Sequence, residues 1–181
     1  LATDPAASDC GCLIPVGGGK DSACTIEMLK KSGHPLYTYI INPRGATLST
    51  VKVSGLSEDH SIHVKRTLDK NMLELNRRGF LNGHTPFSAL VAFSSVITAR
   101  MYGLKYVALS NESSANESTV AGSTVNHQYS KSFEFEQDFH TYEQDWLESG
   151  VYYFSMLRPL SEFQIAKYFG GATAYHDIFR S

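Results

Sequence analysis

The sequence predicts an α/β domain in which about five mostly parallel strands form one sheet with helices on both faces. Short apolar segments alternate along the chain with longer amphipathic ones, which is typical of the β–α–β units that build parallel sheets. Three consecutive glycines stand between the first predicted strand and the first predicted helix. A length of 181 residues suits a single domain, which we place at 10–181 with a flank at 1–9.

The first half of the chain contains three predicted strands, each short and rich in apolar, β-branched or aromatic residues: 12–16, 36–41 and 61–66. The first helix follows the glycines and ends at Gly33. The segment 43–59 carries Gly, Ser, Thr and Pro, so we predict a long loop there, with local strand pairing at 51–53. A short helix is predicted at 69–78.

The second half begins with a helix in which Thr85 is the N-cap, Pro86 is the first helical residue and Gly103 is the end. Its buried face is predicted from apolar residues at helical spacing: Phe87, Leu90, Val91, Ile97 and Met101. A strand is predicted at 106–109. The polar stretch at 110–130 that follows is longer than the usual connection between two elements of a compact domain, which indicates a functional loop.

The last part of the chain is predicted to contain a helix, a strand and a final helix. Four aromatic residues are spaced along one face of the first of these helices: Phe135, Phe139, Tyr142 and Trp146. The fifth strand is predicted at 152–154. Ser161 and Gln164 form a capping box at the start of the final helix.

The composition excludes several classes of protein. Sixteen basic and eighteen acidic residues give a net charge of −2, so the basic excess of an electrostatic nucleic-acid binder is missing, and we expect no nucleic-acid partner. No apolar run approaches the ~20 residues of a membrane span, and we expect no membrane partner. The three cysteines, Cys10, Cys12 and Cys24, are odd in number and crowded near one end, which favours a reducing, cytoplasmic location. The chain starts with neither Met nor a signal peptide, so we expect a domain of a longer protein.

The strongest chemical signal is the glycine loop, which reads Gly17, Gly18, Gly19, Lys20, Asp21 and Ser22. Glycines let backbone N–H groups converge on an anion, and the helix N-terminus that follows adds its own free donors. Lys20 supplies a charge and Ser22 a hydroxyl. Asp21 suits a phosphate site that also holds Mg²⁺. A Walker A loop is excluded because Asp21 follows Lys20, and the spacing also excludes a dinucleotide fingerprint.

This loop resembles the Ser-Gly-Gly-x-Asp-Ser loop of the ATP pyrophosphatases (the PP-loop superfamily), with Gly17 in place of the first serine. The resemblance implies an adenine nucleotide α-hydrolase-like, Rossmann-like fold and cleavage of ATP between its α and β phosphates. Cofactors would be ATP and Mg²⁺, with Asp21 as the metal ligand. The adenine would lie near Asn42, and Lys20 would stabilise the departing pyrophosphate.

Four further blocks, taken in order, carry a narrower resemblance: 79–86, 109–117, 125–136 and 153–162. With the glycine loop they resemble the MurL family of ATP-dependent epimerases of bacterial peptidoglycan synthesis. That resemblance implies adenylation of the terminal L-glutamate of UDP-MurNAc-L-Ala-L-Glu, epimerisation to D-glutamate, and release of AMP and pyrophosphate. The partner would be this nucleotide-linked muramoyl dipeptide. The sequence leaves the oligomeric state open.

Polar side chains that follow strands or open helices are expected to gather at the carboxyl edge of the sheet. We assign substrate binding to three of them: His84, Asn111 and Arg158. Catalytic roles are assigned to Lys20, Glu112, His127 and Lys131, with His127 and Glu112 favoured for proton transfer. Simpler interpretations remain open, in which His84 is an ordinary loop histidine and Arg158 pairs with a neighbouring glutamate.

Two other functions fit the same sequence features. The chain could be another PP-loop ATP pyrophosphatase, such as an amide ligase or a tRNA-modifying enzyme. A thiolase of that kind would need exposed cysteines in the site and a basic surface, which the net charge of −2 disfavours. The chain could also be a non-catalytic module that binds an adenine nucleotide, although Asp21 and the many acid–base groups speak against it.

Overall fold

The computed structural model describes residues 11–81, 86–116 and 128–179, and these contain five strands: β1 Cys12–Pro15, β2 Leu36–Ile41, β3 Ser61–Val64, β4 Tyr106–Leu109 and β5 Tyr152–Ser155. They form a single sheet in the order β3–β2–β1–β4–β5, and every neighbouring pair is parallel. The predicted strands are therefore confirmed. The chain order reverses at β1, which has β2 on one side and β4 on the other.

The same residues contain six α-helices: α1 Lys20–Leu29, α2 Gly45–Ser54, α3 Lys70–Arg77, α4 Phe87–Met101, α5 Phe133–Tyr142 and α6 Glu162–Gly171. A π-helical turn at Glu143–Leu147 continues α5. Short 3₁₀ turns lie at Lys30–Ser32, Glu58–His60, Ser113–Asn116, Tyr129–Lys131 and Thr173–Tyr175. None of the helices in the described part of the chain is long and apolar enough to cross a membrane.

Helices cover both faces of the sheet, as predicted. Leu13 and Tyr39 point to one face, where they pack with Val96 of α4 and Phe139 of α5. Alternate strand residues point to the opposite face, because successive side chains of a strand alternate. There α1 and α2 contribute to a cluster of buried residues that includes Ile14, Ile26, Ile40 and Val51. The last helix, α6, packs on α1 through Ile165.

The long loop and the local strand pairing predicted at 43–59 are wrong, because most of this segment is helix α2. The Thr47 hydroxyl accepts from Arg44 N–H at 3.0 Å and donates to Arg44 C=O at 2.8 Å at the start of the helix. Gly55 ends it in the left-handed conformation, with φ of 71°. Val51 is buried against the sheet. Burial of this face outweighs the weak helix propensity of the β-branched residues.

The end of α4 matches the prediction, but its start and its buried face do not. Pro86 is the N-cap and not the first helical residue, so the helix begins at Phe87, one residue later than predicted. The residues buried against the sheet are small or medium-sized: Ala92, Ser95, Val96 and Ala99. Four of the five residues predicted as buried are exposed, namely Phe87, Leu90, Ile97 and Met101, and Val91 is half-buried. Because α4 is apolar on more than one side, periodicity could not tell which side meets the sheet. The predicted cap, Thr85, lies outside the described residues.

The aromatic face predicted for α5 is only half confirmed. Phe139 is buried and Phe135 half-buried, whereas Tyr142 and Trp146 are exposed. Trp146 lies in the π-helical turn, which changes the register of the chain relative to an α-helix. The predicted stripe therefore does not continue to the end of this segment.

Candidate functional site

The glycine loop lies at the carboxyl end of β1, where it packs against the start of α2. Gly18 is buried and has φ of 84°, a conformation that L side chains rarely adopt. A Cβ placed on it would lie 3.1 Å from the backbone of both Ala46 and Thr47. The loop therefore needs glycine at this position for both its conformation and its packing.

The loop leads directly into the N-terminus of α1. Gly19 is the N-cap, and glycine has no side chain that could cap the first N–H groups of the helix. The Ser22 hydroxyl donates to Gly19 C=O at 3.0 Å, and Asp21 is the acidic residue of the first turn. This end of the helix therefore presents backbone donors and the positive end of the helix dipole to an anion.

Lys20 is held at the same place by two carboxylates. Its Nζ lies 2.9 Å from Asp21 Oδ1 and 3.3 Å from Glu162 Oε1, the latter at the start of α6. Burial opposes the charge of the amine, but hydrogen bonds and charges from Asp21 and Glu162 outweigh it and raise the pKa of Lys20. Lys20 is therefore a cation at neutral pH, and its side chain joins the glycine loop to α6.

A first pocket of about 350 Å³ opens beside the loop on the β2 side of β1. We call it the β2-side pocket. Its apolar wall is formed by Val16, Tyr39, Ile41, Phe87 and Val91. Its polar wall is formed by Asn42, Arg44, Thr47 and Arg66. The Arg66 guanidinium lies over the Phe87 ring, 5.4 Å from its centroid. A planar, polar-edged group fits such a combination of aromatic, aliphatic and cationic side chains.

Asn42 lines the β2-side pocket, and its side chain forms hydrogen bonds to the backbone of another residue of the pocket wall, Arg66. Asn42 has φ of 51° directly after β2. Its Oδ1 accepts from Arg66 N–H at 2.7 Å, and its Nδ2 donates to Arg66 C=O at 2.9 Å. This pair of hydrogen bonds fixes the backbone that follows β3 and so places Arg66 at the pocket.

A second pocket, of about 340 Å³, lies on the β4 side of β1, and we call it the β4-side pocket. It is lined by Pro15, Gly17, Gly19, Asp21, Ser22, Leu109, Ser110 and Asn111. The Thr25 hydroxyl of α1 donates to Ser110 Oγ at 2.9 Å and so ties this wall to the helix. Pro15 and Gly17 belong to both pockets. An extended ligand lying across Gly17 would therefore reach both sides of β1.

Asn111 and Glu112 follow β4 at this edge, as predicted. Asn111 lines the β4-side pocket, and its Nδ2 donates to Ser155 Oγ at 3.3 Å. Glu112 Oε1 accepts from the Ser114 hydroxyl at 2.8 Å. Its Oε2 is buried and has no hydrogen-bond partner among the described residues. A buried carboxylate oxygen of this kind is costly unless a ligand, a proton or another group meets it.

Arg158 is partly buried, and its guanidinium bonds to several protein groups. It donates to Glu112 C=O at 2.9 Å, to Lys131 C=O at 2.8 Å and to Ser155 Oγ at 3.3 Å. It also forms an ion pair at 3.1 Å with the buried carboxylate of Glu136. Arg158 therefore joins the loop after β4 to the start of α5 and the end of β5.

Of the three remaining predicted site residues, only Lys131 belongs to the described part of the chain. The backbone of Lys131 is joined to Arg158, while Lys131 itself is exposed. His84 and His127 lie outside the described residues. The structure therefore brings the glycine loop and Asn111 to one pocket, holds Glu112 and Lys131 through Arg158, and places Asn42 at the other pocket.

Sequence patterns alone did not predict Arg44 and Arg66 at the β2-side pocket, nor Glu162 and Glu136 as ion-pair partners. Arg44 and Arg66 follow β2 and β3, so the rule that polar residues after parallel strands meet at one edge could have found them. Glu162 and Glu136 carry no local signal, because each meets its partner only after α5 and α6 pack.

Neither of the two cysteines in the described residues lines the two pockets at the glycine loop. Cys12 and Cys24 are free and buried, and burial raises their pKa values to about 12 and about 11. Such thiols are poor nucleophiles and poor metal ligands at neutral pH. The described residues also contain no cluster of three or more His, Cys, Asp or Glu side chains that could hold a metal ion.

Two solved structures share this fold. One is described as the predicted subunit of a tRNA methyltransferase from Methanocaldococcus jannaschii, with TM-score 0.54 and 17% identity, covering 89% of this chain and 75% of that one. The other is the U34-tRNA thiolase NcsA from Methanococcus maripaludis, with TM-score 0.58 and 12% identity, covering 100% of this chain and 61% of that one. Likeness at these identities concerns the fold alone, and it confirms the predicted adenine nucleotide α-hydrolase-like class.

Curated relatives share much more of the sequence. A protein of Xanthomonas oryzae pv. oryzae named UDP-N-acetyl-alpha-D-muramoyl-L-alanyl-L-glutamate epimerase is 36% identical over 171 residues, which are 93% of this chain and 37% of the relative. A protein of the same name from Micromonospora sp. is 34% identical over 176 residues, which are 96% of this chain and 39% of the relative. The chain thus spans well under half the length of these relatives.

The family profile described as the MurL N-terminal domain matches residues 2–156. This match includes the glycine loop, both pockets and all five strands of the described structure. It confirms the resemblance that the ordered sequence blocks indicated. This chain belongs to the MurL N-terminal domain family.

Proposed function

We propose that this chain is the ATP-binding and adenylating domain of an enzyme that epimerises the terminal L-glutamate of UDP-MurNAc-L-Ala-L-Glu to D-glutamate. The observation that carries the proposal is the glycine loop at the N-terminus of α1, set between two pockets that share Pro15 and Gly17. The name of the relatives supports the substrate and the reaction. Because the chain matches only part of their length, the complete reaction also needs the remainder of the protein.

In this proposal the nucleotide lies across β1. The adenosine occupies the β2-side pocket, with the base near Phe87 and the Arg66 guanidinium. The β and γ phosphates are held by the backbone of 17–22, which supplies N–H donors at a helix N-terminus. Lys20 exchanges its contacts with Asp21 and Glu162 for phosphate oxygens. The α-phosphate then faces the β4-side pocket, where the glutamyl carboxylate would lie.

The nucleotide has a clear chemical purpose in this reaction. The α-proton of an ionised glutamyl residue is a very weak acid, because its removal places a second negative charge beside the carboxylate. Adenylation removes the carboxylate charge and makes the carbonyl a better electron acceptor. A base can then remove the proton, an acid can return it from the other face, and hydrolysis releases AMP.

We propose different roles for the residues around the glutamyl carboxylate of the substrate. Asn111 lies in the pocket wall and can donate to the substrate. Glu112, whose Oε2 is buried and has no hydrogen-bond partner in the described part of the chain, remains our candidate for proton transfer together with His127. The protein contacts of Arg158 favour a role in positioning Glu112 and Lys131 over direct substrate binding. Lys131 and His84 remain candidates for contacts with the negative charges of the substrate.

The donor set at the loop fits Mg²⁺ that arrives with ATP. Mg²⁺ commonly binds one or two carboxylates and completes its shell with phosphates and water. Asp21 offers one carboxylate at the mouth of α1, next to the expected phosphates. When bound there, the ion would neutralise phosphate charge as pyrophosphate leaves. We also propose a cytoplasmic location, in keeping with the free thiols of Cys12 and Cys24.

Product analysis tests the proposal. The full-length protein, incubated with ATP, Mg²⁺ and UDP-MurNAc-L-Ala-L-Glu, should form AMP and pyrophosphate, and D-glutamate should appear after hydrolysis of the product. Formation of ADP and phosphate would contradict adenylation. A nucleotide-binding module without catalysis would bind ATP and release neither AMP nor pyrophosphate.

A further inference from the structure

One side of α4 carries a continuous apolar surface that the described structure leaves uncovered. Leu90, Phe93, Ile97 and Met101 follow one another at helical spacing, and their exposed fractions are 38%, 38%, 55% and 78%. Tyr142 and Trp146, at the end of α5 and in the turn after it, are 43% and 76% exposed. The rings of Phe93 and Tyr142 meet edge to face, with centroids 5.6 Å apart. These six residues form what we call the outer α4 face.

The composition of α4 is that of a helix covered on both sides. Its fifteen residues include a single charged one, Arg100, in the last turn. The side against the sheet is closely packed through Ala92, Val96 and Ala99. A surface helix normally places charged and polar residues on the side away from the core, whereas a helix that is apolar all round is buried. The sequence of α4 therefore fits a helix with a second partner.

We propose that the outer α4 face is the docking surface for the part of the full-length protein that this chain does not contain. Relatives at 36% and 34% identity match this chain over only 37% and 39% of their length, so most of their polypeptide lies outside the match. The matching family profile is that of an N-terminal domain, so a further region accompanies it in the family. The buried centre of a stable interface is apolar and enriched in aromatic residues, as this face is.

The position of the face gives docking a functional consequence. Phe87 and Val91, in the first turns of α4, line the β2-side pocket, and Leu90 and Phe93 of the outer face lie on the same turns. A region docked on α4 would therefore stand beside the mouth of this pocket. It could complete the wall of this pocket, which Gly17 of the glycine loop lines as well.

Footprinting with a photogenerated carbene, which labels exposed side chains, tests this proposal on this chain and on the full-length Xanthomonas oryzae relative. The α4 peptide should be heavily labelled in this chain and severalfold less in the full-length relative, at all protein concentrations. Asp at the position matching Ile97 should restore the labelling of α4 in the relative. Asp at the position matching Phe163 is the control: Phe163 is 79% exposed on α6, on the opposite side of the sheet, and should change nothing at α4.

Two results would overturn the proposal. The first is equal labelling of α4 in the full-length relative and in this chain. The second is concentration-dependent protection in this chain that Ile97→Asp abolishes, with a matching change from dimer to monomer in sedimentation. That outcome would assign the face to a second copy of the chain. Ile97→Asp should leave the fold of this chain intact, because the side chain is more than half exposed.

Discussion

Gly18 is the loop position at which glycine is needed most, because both its φ of 84° and its contact with α2 exclude a side chain. We expect Gly18→Val to weaken ATP binding about tenfold or more, because strain of ~1–3 kcal/mol must be relieved by moving the loop. Calorimetric titration with ATP and Mg²⁺ measures the loss. Gly55→Val is the matched control. Gly55 has φ of 71° but open space around it, so that variant should lose stability and keep its affinity.

Arg158 is a partly buried cation, and we expect it to stabilise the fold mainly through its ion pair with the buried Glu136. Removing it in Arg158→Met leaves the Glu136 carboxylate buried and unpaired, and we expect the free energy of unfolding to fall by roughly 3–5 kcal/mol. Urea denaturation checks this value. The double variant Arg158→Met/Glu136→Leu should recover much of the loss. Arg77→Met breaks an exposed pair with Glu74 and should cost less than about 1 kcal/mol. Equal losses in the two single variants would contradict the argument.

At the scale of single elements, local capping fixes the ends of helices. Ser161 Oγ accepts from Gln164 N–H at 3.4 Å, and Ser161 N–H donates to Gln164 Oε1 at 2.9 Å, so the predicted capping box of α6 is confirmed. We expect Ser161→Ala to lower the free energy of unfolding by about 1 kcal/mol, as loss of an N-cap usually does. Ser161→Thr keeps the hydroxyl and should change stability much less. Thermal unfolding of the two variants compares them directly.

The edge strand β5 shows how an element is protected by packing. Glu136 and His140 stand one turn apart on α5 and face the free edge of β5. Glu136 Oε1 accepts from Ser155 N–H at 3.2 Å, and the His140 ring is hydrogen-bonded to Tyr153 C=O. These contacts occupy backbone groups that another strand could otherwise pair with. Helix α5 thus closes the sheet on the side next to the β4-side pocket.

At the scale of the whole molecule, the ionisation of the two buried thiols makes the free energy of unfolding depend on pH. Burial raises the pKa of Cys12 to about 12 and of Cys24 to about 11 from an ordinary value near 9. The stability that this contributes is fully present below pH 9 and is lost as the pH rises through the folded-state values. We expect urea midpoints between pH 8 and 11 to fall more steeply for the parent than for Cys12→Ala/Cys24→Ala. Parallel curves would show that the thiols do not titrate as their burial requires.

The sequence by itself determined the strands, the class of fold and the glycine loop. These features depend on local signals: a short apolar run fits a buried strand, and glycines before a helix fit an anion site. The ordered blocks also identified the family, because each block keeps its residues in contiguous segments. Of the site residues, Asn111 and Glu112 were found from their position directly after a strand.

Only the tertiary structure decided which side of each helix is covered and which partners the charged groups have. Helix α2 is stabilised by the packing of Val51 against the sheet. The outer face of α4 is exposed because the small residues on the opposite side of this helix are the ones that pack against the sheet. Asn42 and Arg158 bond to segments distant in the chain, so no local pattern reveals that they hold the site together. The physical reason is common to all these cases. Periodicity and propensity act within a segment, whereas burial and ion pairing are determined by the segments that pack against it.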